Sequence, residues 1–155
     1  MKNLLRNTLF GLIYLLIIFI LAVFFIITAK ADIIKPNNNI KPYEVVKIQL
    51  RSLKMNDIPT KDNGINQTWE FAHPSNQKIT GPLGRFKNML KSESYEMLLD
   101  HLEHTVVEVE TDDLIRLFEV TVLDKNKAYY KFNWQVEKYT KDGPLYGCWL
   151  TTMVS

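Results

Sequence analysis

The N-terminal part of the chain contains an apolar stretch that is long enough to cross a lipid bilayer as a helix. Residues 7–29 are 23 consecutive residues without a charged side chain, and most of them are Leu, Ile or Phe. At about 1.5 Å per residue, a helix of that length measures about 34 Å, which is enough to cross a hydrocarbon core about 30 Å thick. The sequence therefore predicts an N-terminal transmembrane anchor within residues 1–31, with the membrane as one partner.

A cleaved signal peptide is the alternative for this stretch. Lys2 and Arg6 would form its charged region, and Ala29-Lys30-Ala31 would form its cleavage site. Its apolar core would be about 22 residues long, against the usual 7 to 15, so the anchor is favoured. Because a domain longer than about 60 residues can cross regardless of its charges, we expect a single-pass membrane location with the C-terminal domain on the non-cytoplasmic side.

Length and charge limit what the rest of the chain can be. The 155 residues are 46% hydrophobic and 23% charged, which is typical of one folded domain rather than of a disordered chain. Three of the 19 Lys and Arg residues precede Asp32, so residues 32–155 carry 16 basic against 17 acidic side chains. A near-neutral domain argues against nucleic acid as a partner. Cys148 is the single cysteine, and we expect a buried structural thiol rather than a nucleophile.

The first half of this domain reads as helical. Residues 32–41 contain two lysines, a proline and three consecutive asparagines, which predicts a linker. Over residues 42–56, apolar side chains recur at i, i+3, i+7 and i+10, which predicts an amphipathic helix that begins at Pro42. Shorter helices are predicted over residues 63–72 and from residue 81 onward. Residues 94–104 fit either the end of a helix or a first strand.

The second half reads as strands. Residues 105–110, 114–123, 128–139 and 145–154 are rich in β-branched and aromatic side chains and are separated by turn-prone residues. In the third of these, alternate residues are apolar and the others are polar: the apolar set is Tyr130, Phe132, Trp134 and Val136. We therefore predict an antiparallel sheet with one face covered by three helices, an α+β roll over residues 42–155.

Three stretches carry a resemblance to a known family. The sequence resembles an uncharacterised domain family, found in plants, cyanobacteria and other bacteria, of the nuclear-transport-factor-2-like superfamily. The resemblance implies a cone-shaped, cystatin-like α+β roll with a cavity over residues 42–155, and it supplies no catalytic residue. The residues that carry it are Gln49-Leu50, Leu53 and Asn56-Asp57; Phe71-Ala72-His73-Pro74-Ser75-Asn76, Thr80-Gly81-Pro82, Phe86 and Met89; and Cys148-Trp149-Leu150-Thr151 and Val154.

Members of the superfamily that resemble ketosteroid isomerase use a carboxylate base and a Tyr or acid donor in an apolar cone. Glu119, Arg116 and Tyr130 are the residues that this chain could offer, although a structural pair or a solvated charge explains them more simply. Aromatic residues are more often core than ligand contacts, but a cone can stay open at one end. The candidate pocket residues are Trp69, Phe86, Glu119, Tyr130 and Trp134; no catalytic residue, metal or cofactor is assigned.

His101 and His104 form an H-x-x-H pair with acidic neighbours. On a helix, these side chains could share a metal ion, whereas on a strand the two histidines would point to opposite faces. No second group of Cys or His residues completes a site. We therefore expect a solvated segment here.

The second predicted strand suggests a partner. It is apolar on both faces, so its outer face would need cover, and a second copy of the sheet is the simplest cover. The sequence thus favours a membrane-anchored binding or assembly module that forms a homodimer through the sheet and binds a small apolar ligand. A small-molecule isomerase or cyclase, or a scaffold subunit of a membrane complex, are the alternatives. The two rows are Leu114, Phe118 and Val120, and Ile115, Leu117 and Leu123.

Overall fold

A computed structural model describes residues 10–20 and 32–155. The chain divides into two compact units, Met1–Ala31 and Asp32–Ser155. The first is described only over residues 10–20.

Residues 10–20 form a helix with exposed side chains. Over residues 10–20 and 32–155, no helix combines the length and the apolar character needed to cross a bilayer. For the described residues, this finding contradicts the predicted transmembrane helix and the single-pass membrane location inferred from it. The rest of the predicted anchor, residues 1–9 and 21–31, lies outside the described residues.

The first helix of the second unit is the one that its periodicity predicted. Helix α1 spans Pro42–Lys54, with Pro42 at its first turn, Glu44 near its N-terminus and Lys54 at its C-terminus, all of which suit the helix dipole. Its buried face includes Gln49 as well as four apolar residues. A polar side chain therefore lies within the stripe that packs on the sheet.

Three short helices follow, one of which the sequence did not predict. Helix α2 spans Asn63–Glu70, α3 spans Pro74–Thr80 and α4 spans Leu83–Leu90. The unpredicted helix is α3: Pro74 occupies its first turn, and the His73 ring accepts a hydrogen bond from the Ser75 amide at 3.1 Å.

The sheet has four antiparallel strands in the order β1-β2-β3-β4: Glu103–Thr111, Ile115–Leu123, Tyr129–Lys138 and Trp149–Val154. A short 3-10 helix, Glu96–Leu98, precedes β1, so the ambiguous segment contains both structures. At the β4 edge, Thr151 pairs with the connection between α2 and α3, since its amide donates to Phe71 O at 2.7 Å and its carbonyl accepts from the His73 amide at 2.8 Å. This pairing fixes α3 against the end of the sheet. The α+β architecture and the antiparallel meander are confirmed.

The two faces of the sheet differ in cover. On the inner face, Phe118 and Trp134 are buried against the helices. On the outer face, Glu119 pairs with Lys131 at 3.0 Å, and Leu117 is half-buried. The outer face is therefore mixed in character, and the homodimer through the sheet stays a prediction.

The segment that was predicted as a linker contacts the domain. Both main-chain groups of Ile34 bond to the side chain of Gln67: its amide donates to Oε1 at 2.7 Å and its carbonyl accepts from Nε2 at 2.8 Å. Ile40 packs against the core. Residues 32–40 therefore belong to the compact unit.

Candidate functional site

A cavity of about 320 Å³ lies between the helices and the β3–β4 end of the sheet. Its walls come from α1, α2, α3, α4, the 3-10 helix and the two strands, so the whole helical layer contributes to it. Its lining residues are Gln49, Leu53, Thr68, Ala72, Asn76, Ile79, Thr80, Phe86, Met89, Leu90, Tyr95, Leu98, Trp134, Thr151, Thr152, Met153 and Val154.

One wall of the cavity is a buried polar cluster, Gln49, Trp134 and Thr151, which we call the polar floor. The indole Nε1 of Trp134 donates to Gln49 Oε1 at 3.0 Å and to Thr151 Oγ1 at 3.2 Å. The Thr151 hydroxyl also donates to Gln49 Oε1, at 2.6 Å. Because each group finds a partner within the cluster, these polar atoms can be buried without the usual penalty.

Helix α2 fixes the side-chain amide of Gln49 through a hydrogen bond. Its Nε2 donates to Thr68 O at 3.0 Å, and the Thr68 hydroxyl donates to Gly64 O at 2.8 Å. Gly64 is needed here because a Cβ at this position would overlap the Ser52 carbonyl of α1. The close crossing of the two helices thus fixes the position of the polar floor.

The opposite side of the cavity is open to solvent and is shaped by α3. Ile79 is 75% exposed although it lines the cavity, so the opening lies beside it. Asn76 and Thr80 lie on the same helix and also line the cavity. Across from them, the Tyr95 hydroxyl donates to Val154 O at 3.2 Å and attaches the start of the 3-10 helix to β4.

The cavity is apolar and uncharged. None of the described residues that line it is Asp, Glu, His, Lys, Arg or Cys. Its hydrogen-bonding groups are amides, hydroxyls and one indole. A charged ligand would find no counter-ion there, whereas an apolar ligand with one or two polar atoms would fit the lining.

The structure places two of the five sequence candidates at the cavity. Phe86 and Trp134 line it. Trp69 lies behind that wall, with its ring centroid 5.0 Å from that of Phe86. Tyr130 packs against the core without lining the cavity.

Glu119 is on the wrong face for a pocket residue. Strand alternation buries Phe118 and Val120 and turns Glu119 outward to its ion pair with Lys131. Arg116 also lies away from the cavity: its guanidinium bonds to Glu108 at 3.2 Å and lies 5.3 Å from the Trp149 ring. The acid–base candidates are therefore separate structural pairs.

Gln49 and Thr151 were not among the predicted site residues, although both lie in the stretches that carry the resemblance. The three stretches that carry it supply nine of the 17 lining residues. They are distant in sequence and meet around one cavity. The nine are Gln49, Leu53, Ala72, Asn76, Thr80, Phe86, Met89, Thr151 and Val154.

His101 and His104 form a second polar cluster, the histidine pair, with His101 buried and His104 half-buried, instead of the solvated segment that was expected. His101 is 1% exposed, and its Nε2 lies 2.7 Å from Nδ1 of His104. Asp100 has a positive φ of 53°, which turns the chain so that both rings meet on one side. Burial lowers the pKa of both imidazoles, that of His104 to about 4.

Within residues 10–20 and 32–155, no group of three or more His, Cys, Asp or Glu side chains could hold a metal ion. Cys148 is buried, and burial raises the pKa of its thiol. The thiol is therefore protonated at neutral pH and a poor nucleophile.

No family model, curated protein or solved structure matches this chain. The resemblance to the nuclear-transport-factor-2-like superfamily stays a prediction.

Proposed function

We propose that this domain is a binding module that holds a small, uncharged and mainly apolar molecule in the cavity between its helices and sheet. The observation that carries the proposal is the cavity itself: about 320 Å³ with an apolar lining, a satisfied polar floor and an opening beside Ile79. Pockets that bind small molecules measure about 300–1,000 Å³, and a dry apolar cavity of about 150 Å³ already binds benzene.

The lining also argues against the enzymatic alternative. Acid–base catalysis of the isomerase or cyclase type uses a titratable side chain, most often His, Asp or Glu, within hydrogen-bond reach of the substrate. The described lining contains none of these three, its Tyr95 hydroxyl donates to Val154 O, and Glu119 and Arg116 are engaged elsewhere. Binding is the function that these side chains support best.

A titration with a neutral apolar fluorophore, N-phenylnaphthylamine, tests the proposal on the full chain. Asn76→Trp adds a large side chain to the cavity wall, and Lys78→Trp adds the same side chain to the exposed side of the same helix. We expect saturable binding of one probe per chain, weakened at least about tenfold by Asn76→Trp and unchanged by Lys78→Trp. Absence of saturable binding, or equal affinities in the two variants, would contradict the proposal.

A further inference from the structure

The histidine pair is directly behind one wall of the cavity. His101 Nδ1 lies 2.7 Å from the carbonyl oxygen of Leu98, and Leu98 lines the cavity. Two further bonds attach this segment to α1 and the turn that follows it: the Asp100 amide donates to Leu53 O at 2.9 Å, and the Asn56 amide donates to Asp100 Oδ1 at 3.2 Å. Since Leu53 also lines the cavity, the pair and the cavity share a wall.

The hydrogen bonds determine where the protons of the neutral pair lie. A carbonyl oxygen only accepts, so His101 Nδ1 must carry the hydrogen that it donates to Leu98 O. In neutral His101, Nε2 is then the acceptor, and His104 Nδ1 must donate to it. Both neutral imidazoles are thus held as the Nδ1–H tautomer, and the ring nitrogen left to take up a proton without breaking this chain is His104 Nε2.

Nearby cationic side chains disfavour protonation of His104 Nε2. From α1, the cations Arg51 and Lys54 act on His104, and Lys54 also acts on His101. From the turn before β1, Asp100 acts in the opposite direction on His101. On β2, Val122 lies opposite His104 and carries no charge.

Glu103, the acidic neighbour of His104 in β1, does not offset the positive charge of a proton on the pair. Glu103 precedes His104 in β1, and neighbouring residues of a strand point to opposite faces. A proton on the pair therefore adds positive charge next to the C-terminal turn of α1, which already carries Arg51 and Lys54. The repulsion acts across the contact between α1 and β1, at the shared wall.

We propose that protonation of the histidine pair in mildly acidic solution loosens the wall made by α1 and the 3-10 helix and thereby releases the ligand of the cavity. This inference rests on the proposed function, since it concerns the regulation of the same site. Folding lowers the pKa of both rings below the usual 6.5, so the native state holds fewer protons than an opened one. The closed wall therefore becomes less stable as the pH falls from about 7 toward about 4.

Binding of N-phenylnaphthylamine to the full chain at about pH 7.5 and about pH 5 tests the inference, because the probe stays neutral at both. His104→Asn is the informative variant, since the Asn amide occupies the place of Nδ1, can donate to His101 and does not titrate. His73→Asn is the matched control: His73 is the third histidine of the chain and caps α3, which also lines the cavity.

We expect the wild type and His73→Asn to bind the probe at least about fivefold more weakly at the lower pH, and His104→Asn to bind equally at both. An equal loss in His104→Asn, or a loss that only His73→Asn removes, would overturn the inference while leaving the binding function intact. Absence of binding at about pH 7.5 would instead overturn the proposed function, and this inference with it. Urea unfolding of His104→Asn at both pH values shows that the variant is folded in each titration.

Discussion

The domain contains two polar clusters near the C-terminal half of α1, one buried and one partly buried, and we expect them to respond differently to acid. The polar floor consists of an amide, an indole and a hydroxyl, none of which changes charge at ordinary pH. The histidine pair is linked just as closely, with hydrogen bonds of 2.7 Å, but its members take up protons. Hydrogen bonds within each cluster thus allow its polar groups to leave water. Only the histidine pair contains side chains that titrate near neutral pH.

The largest expected effect is the loss of the Trp134 side chain from the polar floor. Trp134→Ala should lower the free energy of unfolding by about 3–5 kcal/mol at any pH between about 5 and 7.5, because it leaves a cavity and removes two hydrogen bonds. Gln135→Ala, at the next residue on the opposite face, should stay within about 0.5 kcal/mol. Urea titration compares the two, and equal losses would mean that the faces of β3 are wrongly assigned.

A smaller change isolates the hydrogen bonds of the polar floor. Gln49→Leu keeps most of the side-chain volume but removes the acceptor for Trp134 and Thr151. We expect a loss of about 1–3 kcal/mol in the free energy of unfolding, with the same value at both ends of that pH range. A loss that grows in acid would show that the two clusters are not independent.

The histidine pair should show the reverse behaviour. Because both pKa values are lowered on folding, the wild type should lose about 1–2 kcal/mol of unfolding free energy between about pH 7 and about pH 5, after allowance for the partial exposure of His104. His104→Asn should remove most of that slope. Asp62, paired with Lys91 at 2.6 Å, has a pKa lowered from 3.8, so its contribution is lost only in stronger acid. Chemical denaturation between about pH 7 and about pH 5 distinguishes the contribution of the histidine pair from that of Asp62. A wild-type free energy of unfolding that stays constant over this range would contradict the assignment of the pH dependence to the histidine pair.

The smallest expected change in stability is on the outer face of the sheet, away from both clusters. Leu117→Lys should alter the free energy of unfolding by no more than about 0.5 kcal/mol, because the side chain is only half-buried there. If the predicted homodimer forms through this face, the same change should convert it to a folded monomer in sedimentation. A wild-type chain that stays monomeric at high micromolar concentration would contradict the prediction of a homodimer.

The sequence predicted the parts of the fold that depend on regular spacing. The stripe of α1 and the alternation around Trp134 are properties of the residues themselves and need no partner to be recognised. Helix α3 was not predicted, although Pro74 suits the first turn of a helix. The 23-residue apolar stretch predicted a membrane helix from composition alone, and the structure describes 11 of those residues.

The candidate site was only partly predictable, because its polar residues come from distant parts of the chain. Nothing near Gln49 in the sequence indicates that the Thr151 hydroxyl, 102 residues later, donates a hydrogen bond to it in the core. The H-x-x-H motif of the histidine pair was visible in the sequence, but the burial of His101 was not. Burial of polar groups is decided by tertiary contacts, which hydrophobic periodicity does not report.

The central claim, that the cavity binds a small apolar molecule against the polar floor, is tested most directly by the indole N–H resonances of the three tryptophans during a titration with N-phenylnaphthylamine. Trp134 lines the cavity, whereas Trp69 lies behind Phe86 and Trp149 lies beside Arg116. The account predicts that the Trp134 resonance, assigned from its absence in Trp134→Phe, shifts most with added probe and stays unchanged in Asn76→Trp. A titration in which the Trp134 resonance does not move, or in which only those of Trp69 and Trp149 move, would contradict it.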